Sequence, residues 1–352
     1  MKQVEKDRMF MQRCLDLAGL VGVSVSPNPM VGSVIVLNDE IIGEGYHQFF
    51  GGPHAEVNAV NNVSKDKKDL LNQATIYVSL EPCNHTGKTP PCLDLILKHQ
   101  FKRVVIGCKD PNPLVSGKSI EILKNKGIEV EVGILEKECL KLNKRFFTYQ
   151  LKKRPYVILK WAQTKDGFID KIREEEEISI DRKINWISHT DTQSIVHYWR
   201  SKEQAILVGW KTIEHDNPSL TVREVKGLNP LRIIIDSNLN MPKDSKVFTD
   251  GDKTVIINKI KNEEIGNVSF VKLQQITTKT ILSFLYELEI SSVFVEGGSG
   301  TLQHFILDGL WDEARIIQSK IIFGDGIKAP KISGIPSKTY SFAKDQLFHY
   351  FK

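Results

Sequence analysis

The sequence predicts an α/β protein of two domains, on three observations. Its 352 residues exceed what one hydrophobic core usually serves. Short β-branched runs alternate with stretches of helical period along the whole chain. The pattern breaks at Arg154-Pro155, where proline disfavours continuation of a helix, so the domains are expected at residues 1–152 and 153–352.

Phe10, Cys14, Leu17, Ala18 and Val21 recur at helical spacing and open the chain as an amphipathic helix. Pro27-Asn28-Pro29 forces an extended turn, and a β-hairpin follows, from Gly32 to Leu37 and Ile41 to Tyr46 around Asn38-Asp39. A helix begins at Pro53, a strand runs from Thr75 to Ser79, and a cysteine-bearing loop opens at its end. Beyond the helix that follows Cys92, strands at Arg103 to Gly107 and Glu129 to Gly133 flank a helix at Lys118 to Lys126. One helix from Glu136 to Lys152 then completes a three-layer α/β domain.

In the second half, Tyr156 to Leu159, Ala205 to Gly209, Leu231 to Asp236, Thr254 to Ile257 and Ser292 to Val295 read as buried strands. Helices are expected at Thr190 to Ser201, Ile281 to Leu288 and Thr301 to Leu307, with closing strands around Ala314 to Phe323 and Gln346 to Tyr350. The acidic run Glu174 to Glu177 reads as a solvated loop.

A composition of 41% hydrophobic and 26% charged residues is that of soluble globular protein. Lys and Arg outnumber Asp and Glu by 48 to 43, too mild an excess to indicate nucleic-acid binding, although it suits a phosphorylated metabolite. Glu5, Asp7 and Asp16 interrupt the first twenty residues, and no run reaches the ~20 apolar residues of a membrane span. A cytoplasmic enzyme is expected, without a membrane or nucleic-acid partner. Five cysteines are too few for a disulfide framework, and Cys14, Cys108 and Cys139 fit plain core packing.

The remaining two cysteines carry chemistry. Pro53-His54-Ala55-Glu56 is followed by Glu81-Pro82-Cys83 and, with eight residues between the two cysteines, by Cys92. His54, Cys83 and Cys92 can supply three ligands to one Zn²⁺, leaving a fourth position open, as in catalytic sites. His54 and Glu56 would diverge by ~200° inside a regular helix, so they share a site only at a helix entrance. Glu56 is the free carboxylate, suited to moving protons as general base and acid. This outline is the signature of zinc deaminases acting on nucleobases. The competing reading is a structural zinc site, for which His85 is the nearest fourth ligand.

The long loop from Glu81 to Cys92, with Pro27-Asn28-Pro29-Met30-Val31-Gly32 and Gly45-Tyr46-His47, closely resembles the bifunctional riboflavin-biosynthesis deaminase/reductase family. The second half agrees in Lys160 to Gly167, in Asp216 to Arg223 and in Glu296 to Leu302. The resemblance implies a cytidine-deaminase-like domain followed by a dihydrofolate-reductase-like α/β domain. The first would be a zinc-dependent hydrolase, deaminating 2,5-diamino-6-(5-phosphoribosylamino)pyrimidin-4(3H)-one with one Zn²⁺ per chain. The second would be an oxidoreductase, reducing the ribosyl group to ribityl with NADPH. The alternative is a nucleoside or tRNA deaminase with an accessory ligand-binding domain. A homo-oligomer is left open.

The resemblance places the phosphorylated pyrimidine against Asn28, which can both donate to and accept from its edge, with His47, His85 and Lys88 around ribose and phosphate. In the reductase it puts Gln163, Trp186, Thr212, Asp216 and Ser237 at the cofactor. It puts Ile184, Arg200, Leu220, Arg223 and Glu296 at the substrate. Arg200 and Arg223 suit phosphate clamps, although either could be an ordinary surface arginine. Lys160 and Glu296 are candidates for protonating or polarising the opened C1 of the sugar. Gly298, Ser299, Gly300, Thr301, Leu302, Gln303 and His304 follow a strand and open a helix, where backbone N–H groups cradle phosphate. Their spacing is not G-x-G-x-x-G, so a Rossmann domain is not expected, and by themselves they also read as a glycine-rich turn. The chain departs from the family in Trp161-Ala162-Gln163, which replaces smaller residues, and in the acidic insertion around Glu174.

Overall fold

The computed structural model describes residues 2–85, 90–112, 116–174, 182 and 184–352. It consists of two compact units, residues 1–153 and 154–352. The first unit runs α1 (Gln3–Ala18), β1 (Gly32–Leu37), β2 (Glu40–Tyr46), α2 (Ala55–Asn61), β3 (Thr75–Leu80), α3 (Cys92–His99), β4 (Arg103–Cys108), α4 (Lys118–Asn125), β5 (Glu129–Val132), α5 (Glu136–Leu142) and α6 (Lys144–Lys152).

Its sheet has the order β2-β1-β3-β4-β5, with β1 antiparallel to both neighbours and β3, β4 and β5 parallel. Alternation along the strands makes the three layers. Ile35, Ile76, Val78, Val104 and Ile106 pack on Ala59, Leu93, Ile96 and Leu123 of α2, α3 and α4. The intervening Val34, Val36, Tyr77 and Val105 pack on Phe10, Met11, Cys14 and Cys139 of α1 and α5. Asp7 pins α1 from beneath, accepting from Tyr77 at 2.8 Å and Arg103 at 2.7 Å. The hairpin turn has both Asn38 and Asp39 at positive φ, 52° and 67°, the geometry that matches strand twist.

The long helix expected from Glu136 to Lys152 is two. Asn143 interrupts it, because its side chain accepts from Met30 N–H at 2.8 Å and donates to Met30 O at 2.9 Å. A residue that binds a neighbouring backbone in this way competes with helix continuation.

The second unit contains β6 (Tyr156–Gln163), β7 (Phe168–Asp170), α7 (Thr190–Arg200), β8 (Ala205–Gly209), α8 (Trp210–Asp216), β9 (Leu231–Ile235), α9 (Lys246–Thr249), β10 (Thr254–Asn258), β11 (Glu263–Ile265), β12 (Val268–Lys272), α10 (Thr278–Glu287), β13 (Ser292–Val295), α11 (Ser299–Leu307), β14 (Glu313–Gln318), β15 (Ile327–Lys328), β16 (Lys338–Phe342) and β17 (Asp345–Phe351). Ten of these strands form one sheet, ordered β11-β12-β10-β9-β8-β13-β6-β14-β17-β16. From β12 to β14 the neighbours are parallel. The central strands carry helices on both faces, α10 and α11 on one, α7, α8 and α9 on the other. Buried on both sides, they read as unbroken apolar runs.

Arg232 stands inside one such run, fully buried, and its guanidinium bonds both oxygens of Asp250, the hydroxyl of Thr254 and the carbonyls of Ser219, Val247 and Asp252. The strand expected to reach Phe323 ends at Gln318. Beyond it, Ile321 O accepts from Lys165 N–H and the Asp166 carboxylate takes the N–H groups of Phe323 and Gly324, so this backbone serves a loop. Glu174 is exposed, and residues 175–177 of the acidic run lie outside the described residues.

Candidate active sites

The deaminase-type site is assembled by three chain entries. His54 is the N-cap of α2, with extended backbone (φ −71°, ψ 166°), so it can stand beside Glu56 as expected. Cys92 begins α3, and Cys83 lies just past the end of β3. Gly43 and Gly45 make the approach of α2 possible. A Cβ at Gly45 would lie 2.3 Å from Ala59 N, and one at Gly43 2.5 Å from Ala59 O. Side chains of α2 and its C-cap also bond β2, Asn58 to Tyr46 O and Asn62 to Glu44 O, each at 2.8 Å.

His54 Nδ1 is 3.5 Å from Cys83 Sγ and 3.3 Å from Cys92 Sγ. Among the described residues these three alone cluster as metal ligands, all within 4.8 Å of one another, and His85 is not with them. An imidazole and two thiols at this spacing fit Zn²⁺, and three ligands rather than four mark a catalytic centre. Hydrogen bonds from the Cys92 thiol, and from His54 and the Cys92 N–H (3.3 Å), hold the Cys83 pKa at about 4, while the same pairing and burial push the Cys92 thiol up.

Glu56 is 3% exposed, and its pKa is raised by burial and then by Cys83. A carboxyl whose proton affinity is raised in this direction is suited to general acid–base work. His47 stands against His54, ring centroids 5.4 Å apart, and beside Asn28. Burial lowers its pKa. His85 is exposed, and Lys88 lies outside the described residues. Glu81 was not singled out as functional. Its buried carboxylate accepts from Asp110 N–H at 3.3 Å and Gly117 N–H at 2.9 Å, and so holds the strand end that delivers Cys83.

In the second unit, the chain winds outward from β8 to β12 and then returns to place β13 between β8 and β6. Ligands bind at the carboxyl ends of strands where the order reverses in this way. There the ends of β6, β8, β9 and β13 present Lys160, Gln163, Thr212, Ser237 and Glu296. Glu296 takes a two-pronged hydrogen bond from Arg200 (2.6 and 2.9 Å) and a third from Lys160 (3.3 Å). Burial alone would raise the Glu296 pKa, but Arg200 and Lys160 prevail and hold it at about 2. Burial lowers the Lys160 pKa.

Arg200 is thus no surface residue. Its fork is engaged by Glu296 and by Thr221 O at 3.2 Å. Arg223 is exposed, steadied by Thr221 Oγ1 at 2.9 Å, and open to an anion. Ile184 and Trp186 are exposed, whereas the Leu220 side chain packs in the core with Ile206, Val208 and Ile213, leaving only its backbone to meet a ligand. Asp216 is paired with Arg173 at 2.9 Å, and Gln163 Oε1 accepts from Trp161 at 2.8 Å.

The segment expected at the cofactor forms the first turn of α11. A Cβ at Gly300 would meet nothing within 4 Å, and one at Gly298 only Thr212 Oγ1 at 3.8 Å, so the backbone there opens onto free space. Thr212 Oγ1 accepts from Gly298 N–H at 3.2 Å. These features fit the phosphates of NADPH. Not every side chain of the segment joins in. Leu302 is in the core, the Ser299 hydroxyl donates to Lys328 O, and the Gln303 amide bonds the backbone of Lys331. Thr301 lies near Gly209, and His304 is exposed.

Fold and sites together define a class, a zinc-dependent deaminase joined to a dihydrofolate-reductase-like reductase. Comparison with known proteins agrees over both units. Residues 4–108 match the cytidine and deoxycytidylate deaminase zinc-binding region, and residues 155–347 match the RibD C-terminal domain. Riboflavin biosynthesis protein RibD of Aquifex aeolicus is 41% identical over 92% of this chain and 89% of its own length. That of Synechocystis is 37% identical over 92% and 87%. A solved deaminase/reductase structure from Thermotoga maritima is 39% identical and superposes with a TM-score of 0.86 over 99% of both chains. The chain belongs to the RibD family, the bifunctional deaminase and reductase of riboflavin biosynthesis. The alternative of a nucleoside or tRNA deaminase with an accessory domain is set aside by a match that spans the reductase half as well. Among the described residues, no helix is long and apolar enough to cross a membrane.

Proposed function

We propose that residues 1–152 deaminate 2,5-diamino-6-(5-phosphoribosylamino)pyrimidin-4(3H)-one and that residues 153–352 reduce the deaminated product's ribosyl group to give 5-amino-6-(5-phosphoribitylamino)uracil. The observation that carries the reading is the convergence of His54, Cys83 and Cys92 next to a buried Glu56. His54, Cys83 and Cys92 would hold Zn²⁺, which supplies Lewis acidity for hydrolysis when bound. Glu56 takes one proton from the attacking water and passes it to the ring nitrogen, then takes the second from the added hydroxyl and passes it to the amine, which departs as ammonia. Asn28 orients the pyrimidine edge, and His85 and Lys88 are assigned to its phosphoribosyl arm.

In the reductase, Thr212 and residues 298–304 would seat NADPH, which supplies hydride when bound, with Gln163, Trp186, Asp216 and Ser237 along the cofactor. Lys160 polarises the opened C1 and delivers its proton, held in place by Glu296. Arg223, with Ile184 and the Leu220 backbone, receives the phosphorylated sugar. Metal-ligating thiols must stay reduced, which favours the cytoplasm.

Glu56→Gln is expected to retain zinc by metal analysis and to lose ammonia release by about 10²–10⁴-fold. Its NADPH consumption on the deaminated intermediate stays at the wild-type level. Turnover of ammonia near wild type would remove Glu56 from the mechanism.

A further inference from the structure

We infer that His47 acts on the deamination through Asn28, as a positioning residue that fixes which end of the Asn28 amide the pyrimidine meets. The inference rests on the deaminase reading above, with Asn28 at the substrate edge. The His47 ring is 3% exposed, and both of its nitrogens are engaged. Nδ1 lies 3.0 Å from the carbonyl oxygen of Pro53. A carbonyl can only accept, so Nδ1 carries the proton. The group facing Nε2, at 3.2 Å, is Asn28 Nδ2, an amide nitrogen that can only donate, so Nε2 is the acceptor.

A chain of hydrogen bonds thus runs from the Pro53 carbonyl through the ring to the Asn28 amide, and its ends are anchored. His47 N–H donates to Val31 O at 3.0 Å, Asn28 N–H donates to Val25 O at 2.9 Å, and Pro53 directly precedes His54. With Nδ2 turned to His47, Oδ1 is the atom the amide offers elsewhere, and it takes no hydrogen bond among the described residues. An acceptor so placed selects a ring edge that presents an N–H donor. Rotation of the amide by half a turn would set an NH₂ against that edge and leave the acceptor facing Nε2, so both contacts fail together. His47 has no nitrogen left for ribose or phosphate, which replaces the direct contact expected from the sequence.

The test is a double-mutant cycle in the zinc-loaded full chain, with ammonia release from the diaminopyrimidine phosphate as readout. His47→Phe keeps the ring and removes the relay, and Asn28→Ala removes its target. Zinc content and NADPH-dependent reduction of the deaminated intermediate report intact folding. Each single variant is expected to lose about tenfold in kcat/KM, the size of one buried hydrogen bond. The double variant stays within about twofold of Asn28→Ala, because without Asn28 there is nothing to orient. A double variant that loses the product of both factors would show His47 touching the substrate itself and overturn the inference, as would His47→Phe at wild-type activity. Asn28→Ala at wild-type activity would remove the underlying reading of Asn28 instead. If His47→Phe loses zinc, His47→Gln takes its place in the cycle.

Discussion

The two arginines that the sequence offers as a pair of phosphate clamps have different surroundings. Arg223 is exposed with its guanidinium free to grip an anion, so Arg223→Ala should raise KM for the reductase substrate about tenfold and leave kcat nearly unchanged. An unchanged KM would place the phosphate elsewhere. Arg200 instead shares Glu296 with Lys160, and this triad predicts a pH dependence. The folded-state pKa of Glu296, about 2, lies below its ordinary 4.5, so its contribution to stability is complete above about pH 4.5 and is lost as pH falls towards 2. The stability gap between wild type and Glu296→Gln should close over that window in denaturant titrations, and a gap that persists to low pH would contradict the pairing. The zinc ligands were legible because their order and spacing lie in one linear stretch. Thr221, which steadies both arginines, was not, because its position follows from Leu220 at φ 58°, a backbone turn that no side-chain pattern announces.

Among elements, α2 shows how much depends on two absent side chains. Gly45→Ala would drive a methyl group into the helix backbone, costing about 1–3 kcal/mol by overpacking and displacing His54 with its helix. Urea unfolding and zinc titration of the variant should both show the loss, and wild-type zinc affinity would disprove the coupling. The hairpin, the parallel strands and the longer helices were readable because period and turn residues agree there. The interruption at Asn143 was not, since it depends on Met30, remote in sequence. The strands β7 and β15 are only three and two residues long, and β11 and β16 are exposed along their whole length, so no buried face patterns them. Arg232 reads as an interruption of an apolar strand until its buried partners are seen.

At the scale of the whole molecule, each unit has its own core, and the sequence shows this in the apolar runs on either side of Arg154-Pro155. Metal binding stabilises only the unit that holds the ligands. Calorimetry after chelation should therefore show a lowered transition for residues 1–153 and an unmoved one for residues 154–352. A common shift of both would contradict separate cores. Function was legible at this scale because two sets of motifs stand in the order of two consecutive reactions.

The outer strand of the first unit's sheet, β2, has a further property. His47 N–H bonds Val31 O, so the ladder to β1 uses residues 45 and 47, and the carbonyls of Glu44 and Tyr46 point away from the sheet. Those are the two carbonyls that Asn62 and Asn58 occupy. A foreign strand adding to this border would have to strip both amides and pull α2 from its seat, and with it His54. Whatever holds His54 in its seat, a bound metal included, therefore also helps to guard this border.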